Sequence, residues 1–405
     1  MNHITVVDAR MGRGKSSAAI RYMNQNKGTK RFLYITPYLD EVNRICECCD
    51  FEQPGSDHMS KSSELKFHLR AGHNVSATHS LFYLMDEEAI EIIRERRYSL
   101  IIDESIQVIE RLNISGGDFD VIVNQLTDLD ENGYLHWKDK NYTGRFYDYK
   151  GMSDTGSLLQ LDSALMNILN PELLRAFDEV FMLTYLFEGQ YQKAYLEFFG
   201  FEYEVVGVES DGSGFCFSDK PDDPPPVDYS KLITIDDNRK LNAVGNKFYA
   251  LSNAWYSKRG YNDPGIRELR NGMRRFFQSL DGGNQDTRMW TCFKRDADKL
   301  VDSKTGRFRK NFIQTTARAT NRYKDRTDVA YMVNRFADPN ITKLFRAKGI
   351  GIDVDTYALS EMLQWIWRSA IRDGKPITLY IPSKRMRSLL INWINETNKG
   401  GNTVA

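Results

Sequence analysis

A lysine and a serine that follow a glycine-rich turn form one of the few short arrangements able to hold a triphosphate, and residues 9–17, ARMGRGKSS, have it. Gly12 and Gly14 let the backbone approach an anion closely, while consecutive N–H groups and the start of a helix point at it. Lys15 can then reach the β- and γ-phosphates, and the Ser16 hydroxyl can serve Mg²⁺. Ala9 stands where such loops usually carry their first glycine, and Arg13 and Ser17 complete the cradle. The second group of chemical interest is SLIIDES, an apolar run that ends on Asp103 and Glu104. Asp103 suits a hard cation held through water, and Glu104 suits orientation and deprotonation of an attacking water. Together these residues suit Mg²⁺-assisted hydrolysis of a nucleoside triphosphate.

Such groups need a scaffold, and the pattern around them supplies one. ITVVDA, RFLYITP, NVSATH, SLIIDES and EVFMLTYL are strand-like and alternate with helical stretches, a βαβ rhythm that predicts a parallel sheet with helices on both faces. Residues 113–155 interrupt the rhythm with GG, NG and TG turn signals, which predicts an inserted β-hairpin. Its Tyr134, Trp137, Tyr142, Phe146, Tyr147 and Tyr149 suit either base stacking or packing on their own domain. Three successive prolines in SDKPDDPPPVDYS mark a linker. The expected division is a first domain over 1–216, a linker over 217–228 and a second α/β domain over 229–405, where TRMWTCF, NFIQTT, DVAYMVN and PITLYIP are the strand candidates.

The chain has 405 residues, 41% hydrophobic and 27% charged, enough to bury the cores of two or three domains. No stretch approaches the roughly 18 apolar residues of a bilayer span, and the N-terminal residues lack the basic, apolar and small-residue sequence of an export signal. The cytoplasm is the expected location. Cys46, Cys48 and Cys49 lie near His58, His68 and His73, but CxCC lacks the paired spacing of a zinc site and suggests reduced thiols. Net charge is zero, yet residues 258–405 carry 29 Lys+Arg against 15 Asp+Glu and residues 1–257 carry 26 against 40. A basic C-terminal part suits a polyanion, although mutual attraction of the two parts would also use such a split. Cations beside Trp290, Phe293 and Phe308 suit a nucleic-acid groove, with a solvated loop as the alternative.

In sum these motifs resemble those of the superfamily 2 helicases (DEAD/DEAH-like), most of all the compact DNA helicases encoded by bacteriophages. ARMGRGKS is similar to motif I in its AxxGxGK[ST] form, Thr36 and Pro37 to motif Ia, and Thr78 and His79 to the next strand-end nucleic-acid motif. IIDES is similar to motif II and Thr184 falls in the position of motif III. QTTARATN resembles motif V through Thr316, Arg318 and Asn321, and QWIWRSAIRDGKPI resembles motif VI through Gln364, Arg368 and Arg372. The resemblance implies two RecA-like parallel-sheet domains in tandem, ATP and Mg²⁺ as cofactors, and translocation on or unwinding of single-stranded or forked duplex DNA in phage replication or recombination, alongside proteins of those processes. Arg368 and Arg372 are expected on one helix, facing the same way, with Arg372 as the marginal choice for the γ-phosphate contact. Two other classes share the loop: a phosphotransferase acting on a small molecule, and a packaging-type ATPase that grips DNA without unwinding it.

Overall fold

In the computed structural model, which describes residues 3–55, 59–222, 227–280, 285–302, 305–315 and 321–398, the chain divides into two units. The first comprises Met1–Asp222 with Asp338–Ile352, and the second Asp223–Ala337 with Asp353–Ala405.

Twelve strands build the first unit: β1 (His3–Asp8), β2 (Arg31–Thr36), β3 (Val75–Thr78), β4 (Tyr98–Asp103), β5 (Ile109–Arg111), β6 (Thr127–Leu129), β7 (Leu135–Trp137), β8 (Leu158–Leu161), β9 (Ala164–Ile168), β10 (Glu179–Thr184), β11 (Tyr203–Ser210) and β12 (Phe215–Ser218). Seven of them form the main sheet in the order β12-β11-β1-β10-β4-β2-β3, parallel throughout except for the antiparallel β12. Every residue of β4 is buried, as are the central four of β1. Such unbroken buried runs fit strands covered on both faces by helices, so the expectation of a parallel α/β sheet holds. Register then collects chemistry at one edge. Asp8 lies opposite Thr184, Leu183 opposite Asp103, and Thr36 opposite Thr78, so the C-terminal ends of five strands present these polar residues together. Open parallel sheets bind ligands at this edge.

The segment expected to be an inserted β-hairpin is larger, a small α/β module in which one antiparallel strand pair is a single part. Ser115 caps a helix at Gly116–Val121, accepting from the Asp118 N–H at 3.2 Å, and that helix runs into a π-helical turn at Ile122–Leu126. The antiparallel pair β6–β7 follows, then a helix at Tyr147–Asp154, and β5, β9 and β8 form a separate three-stranded sheet. The glycine pair, expected to form a turn, begins a capped helix. Ile122, Leu135, Trp137, Phe146, Leu158 and Leu165 make a core of their own. Two of the aromatics considered for base stacking are therefore interior, and Tyr147 is the strongly exposed one.

The second unit has a four-stranded parallel sheet, ordered β13 (Ile233–Ile235), β16 (Ile377–Tyr380), β15 (Asp328–Tyr331) and β14 (Arg288–Thr291). Against it lies the helix Pro264–Ser279, capped by Asp263, whose carboxylate accepts from the Gly265 N–H at 2.8 Å. Ile266, Leu269, Met273, Phe276 and Phe277 recur at helical spacing and supply its buried face. Among the described residues no helix is long and apolar enough to cross a membrane.

Residues 338–352 pack with the first unit although they follow most of the second in sequence. Asp338 caps the helix Pro339–Arg346, its N–H donates to the Tyr191 hydroxyl at 2.8 Å, and Ile341 and Phe345 enter the first unit's core. Phe345 is fully buried and meets the Phe198 ring edge-on at 5.6 Å. Phe345→Ala is therefore expected to destabilise the first unit by about 3–5 kcal/mol. Urea unfolding followed by hydrogen exchange checks this; protection lost only in Asp353–Ala405 would contradict the placement.

Candidate functional site

The loop after β1 is built to expose backbone N–H groups. Gly12 and Gly14 take left-handed conformations with φ of 79° and 83°, which residues with a Cβ adopt at a cost. At Gly14 the requirement is double, because an added Cβ would lie 2.4 Å from the Phe215 ring of β12. Gly14 is also the N-cap of helix α1 (Lys15–Asn26), whose first helical bond runs from the Ala18 N–H to the Gly14 carbonyl at 2.8 Å. Ala9 is buried and its N–H donates to the Thr184 carbonyl at 3.1 Å, extending the β1–β10 ladder into the loop.

Lys15 and Ser16 then face the carboxylate strand. Lys15 Nζ donates to the carbonyls of Ala9 and, at 3.0 Å, of Arg10. Burial lowers its pKa to about 8, against the opposing pull of Asp103, Asp8, Asp222 and Glu104. The Ser16 hydroxyl donates to both oxygens of Asp103, at 3.2 and 3.3 Å, and the Tyr34 hydroxyl donates to Oδ2 at 2.7 Å. Burial, with Glu41 nearby, raises the Asp103 pKa, while the two hydroxyls and Lys15 oppose the rise. A hydroxyl and a carboxylate this close form a hard-oxygen donor set of the kind Mg²⁺ takes, so the residues fit that ion. Glu104 follows in a left-handed conformation, φ 64°, unusual for a non-glycine residue and a mark of locally imposed backbone.

Several contributors lack a sequence motif. Tyr34 was signalled only as a polar tip in a buried strand, which must find a partner. Behind the carboxylates, Thr184 Oγ1 donates to Gln190 Oε1 at 2.8 Å and Ser105 Oγ to the same atom at 3.0 Å, linking the ends of β4 and β10. Asp8 accepts from the Phe187 N–H at 3.1 Å, and burial raises its pKa. Asp222 accepts from the Arg10 N–H and from Arg13 Nε, both at 3.3 Å, and Arg13 also donates to the Val208 carbonyl at 3.2 Å. Arg13 is thus turned toward β11 and the residues after β12, and Ser17 is exposed on α1.

The remaining sequence candidates are spread more widely. Thr36 and His79 are buried, Pro37 is half-buried, and the Thr78 hydroxyl accepts from the Leu81 N–H at 3.3 Å as a helix cap. Thr316 and Arg318 lie outside the described residues, as does the Asn321 side chain. Gln364 sits half-buried on the helix Val354–Ile366 of the second unit. Arg368 and Arg372 do not share that helix. It ends at Ile366, Ser369 is extended with ψ −172°, and Arg372 belongs to a separate 3₁₀ turn at Ala370–Asp373 closed by Gly374 in a left-handed conformation. The extended Ser369 abolishes the common face that four-residue spacing would give: Arg368 is buried and Arg372 exposed. His58 lies outside the described residues, and among those described no group of three metal-ligating side chains forms.

Fold and site define an α/β protein with a glycine-lysine-serine loop at the C-terminal edge of a parallel sheet, one strand removed from a strand ending in Asp-Glu. The chain is 35% identical to the SPbeta prophage-derived uncharacterized protein YonV of Bacillus subtilis (strain 168), over 97% of its own length and 99% of the relative's, and it belongs to the YonV family. Residues 227–394 match the YonV C-terminal Rossmann-like domain and residues 109–167 the YonV middle domain, the latter spanning the inserted module. Likeness to solved structures is remote: S. tokodaii Xpd4 at 11% identity and a TM-score of 0.42, covering 97% of this chain and 94% of that one. S. cerevisiae Dbp5 bound to RNA and ADP BeF3 aligns at 11% and 0.37, covering 99% and 84%.

The lowered Lys15 pKa carries a signed consequence. A base held below its unfolded value destabilises the fold while charged, so stability contributed by this position is lost below about pH 8 and regained as pH rises toward the unfolded value. Lys15→Met is expected to stabilise the protein by about 1–2 kcal/mol at pH 7, after allowance for solvent screening, with the gain shrinking by pH 10. Thermal unfolding at the two pH values measures it; a variant less stable than the parent at pH 7 would contradict the electrostatic account.

Proposed function

We propose that this protein is a nucleic-acid motor that hydrolyses ATP with Mg²⁺, acting on DNA in the bacterial cytoplasm during phage replication or recombination. The observation that carries the reading is the Ser16–Asp103 contact at 3.2 Å, which brings the phosphate loop and the carboxylate strand to one point. In this reading the N–H groups of Gly12, Arg13, Gly14, Lys15, Ser16 and Ser17 receive phosphate oxygens, and Lys15 leaves the Ala9 and Arg10 carbonyls for the β- and γ-phosphates. Ser16 and Asp103 hold Mg²⁺, which when bound neutralises charge on the phosphate oxygens. Glu104 orients the attacking water and takes its proton. The Ser105–Thr184–Gln190 network fixes the strand ends that carry these groups.

Gln364, Arg368 and Arg372 belong in the proposal as second-unit residues that support turnover. Arg372, being exposed, is the one with a guanidinium available to a substrate, and Thr36, Pro37, Thr78, His79, Thr316 and Arg318 are assigned to the nucleic-acid path. The basic second unit, with 30 Lys+Arg against 18 Asp+Glu, favours a polyanion over a small phosphate acceptor.

One set of steady-state ATPase assays, with single-stranded DNA, duplex DNA and RNA as separate additions, tests this reading. Turnover is expected to rise with single-stranded DNA. Glu104→Gln is expected to bind ATP as the parent does while turnover falls by about 10³ or more, and Arg372→Ala to lower turnover with a much smaller change in affinity. Parent-level hydrolysis by Glu104→Gln, or indifference of the parent enzyme to every nucleic acid, would contradict it.

A further inference from the structure

The second unit exposes two aromatic rings, Phe248 and Tyr249, beside a third, half-buried one, Phe336. Phe248 is 58% exposed and Tyr249 69%, in a molecule whose other large aromatic side chains are mostly interior. Their ring centroids are 4.9 Å apart, and each lies within 5.7 Å of the Phe336 ring.

The first two rings are exposed, but their support is rigid. Asn334, which is 1% exposed, donates through Nδ2 to the Phe248 carbonyl at 2.7 Å and the Ala250 carbonyl at 2.9 Å, and its N–H donates to the Leu251 carbonyl at 2.9 Å. Leu251 is fully buried in a left-handed conformation, φ 61°, so the backbone beneath the rings is held in a state that a leucine adopts only when its surroundings impose it. From below, the Arg385 guanidinium lies 4.5 Å from the Phe336 centroid and 5.9 Å from that of Phe248. It is locked by Asp355 Oδ1 at 2.6 Å, the Arg335 carbonyl at 2.7 Å and Asn334 Oδ1 at 3.2 Å. A loop ordered to this degree, with its apolar rings left in water, is prepared for a ligand that covers them.

Charge identifies the occupant. Lys247 precedes the pair in sequence, Lys384 precedes Arg385, both are exposed, and the unit around them is strongly basic. A ligand that presents flat π-faces and carries negative charge along its length is a single-stranded nucleic acid. We infer that Phe248, Tyr249 and Phe336, braced by Arg385, form a stacking platform for unpaired bases of a single strand. The platform rests on the motor reading and gives it a strand-contact site indifferent to base identity, since every base has a face to stack.

The test uses the full chain and fluorescence anisotropy with labelled (dT)₂₀, an abasic 20-mer of the same charge, and a 20-base-pair duplex. The parent is expected to bind (dT)₂₀ tighter than the abasic strand. The double substitution Phe248→Ala, Tyr249→Ala is expected to lose roughly tenfold or more of the (dT)₂₀ affinity while abasic binding and DNA-free ATPase stay unchanged, and Tyr249→Phe to retain the parent's preference. Equal binding of (dT)₂₀ by parent and double variant overturns the platform but leaves the motor reading standing. Equal loss on both strands, or loss of self-association with DNA binding intact, also overturns it, the latter making the patch a protein interface. A parent that binds none of the three nucleic acids overturns platform and motor reading together.

Discussion

The first unit depends on keeping two opposite charges, Lys15 and Asp103, in a place with little water. Neither is at ease there: burial pulls the ammonium toward neutrality and pushes the carboxylate the same way. The fold compensates with short polar contacts, namely the carbonyls of Ala9 and Arg10 for the lysine and the hydroxyls of Ser16 and Tyr34 for the aspartate. These contacts satisfy the groups without neutralising them, which suits a site meant to meet an anion and a cation of its own. Much else follows from that arrangement. The loop glycines are left-handed, β10 lies between β1 and β4, and the Phe215 ring of β12 packs close to Gly14.

What the sequence showed and what it concealed divide along a physical line. The loop, its helix and the strand ending in Asp103 and Glu104 were legible because each is a local pattern: glycine before lysine and serine, an unbroken apolar run, two carboxylates at its end. Parallel pairing was legible for the same reason, since the Leu100–Ile102 run of β4 has no polar position to turn toward solvent. The features that were not legible are decided by distant partners. Residues 338–352 join the first unit because Phe345 finds Phe198, a contact no local composition announces. The GG signal at 116–117 looked like a turn and is a helix start because Ser115 caps it. The four-residue spacing of Arg368 and Arg372 predicted a shared face, but an extended Ser369 lies between them. Tyr34 could be seen in the sequence and its partner could not.

Charge is partitioned between the units more cleanly than the chain total suggests. The first unit carries 25 Lys+Arg against 37 Asp+Glu and the second the complementary excess of cations. Within the first, the inserted module is itself acidic and keeps Trp137 and Phe146 in its own core, which weakens its case as a base-stacking element. The exposed rings and the positive charge coincide instead in the second unit, at Phe248 and Tyr249.

The central claim is that Ser16 and Asp103 hold Mg²⁺ beside a triphosphate cradled by the Lys15 loop. Equilibrium binding of a fluorescent ATP analogue, measured with Mg²⁺ and with EDTA for the parent and for Asp103→Asn, tests it most directly. The account predicts binding that tightens with Mg²⁺ in the parent, and an Asp103→Asn protein in which that dependence is lost while the metal-free affinity persists. Failure of the parent to bind the analogue, or the same Mg²⁺ dependence in both proteins, would contradict it.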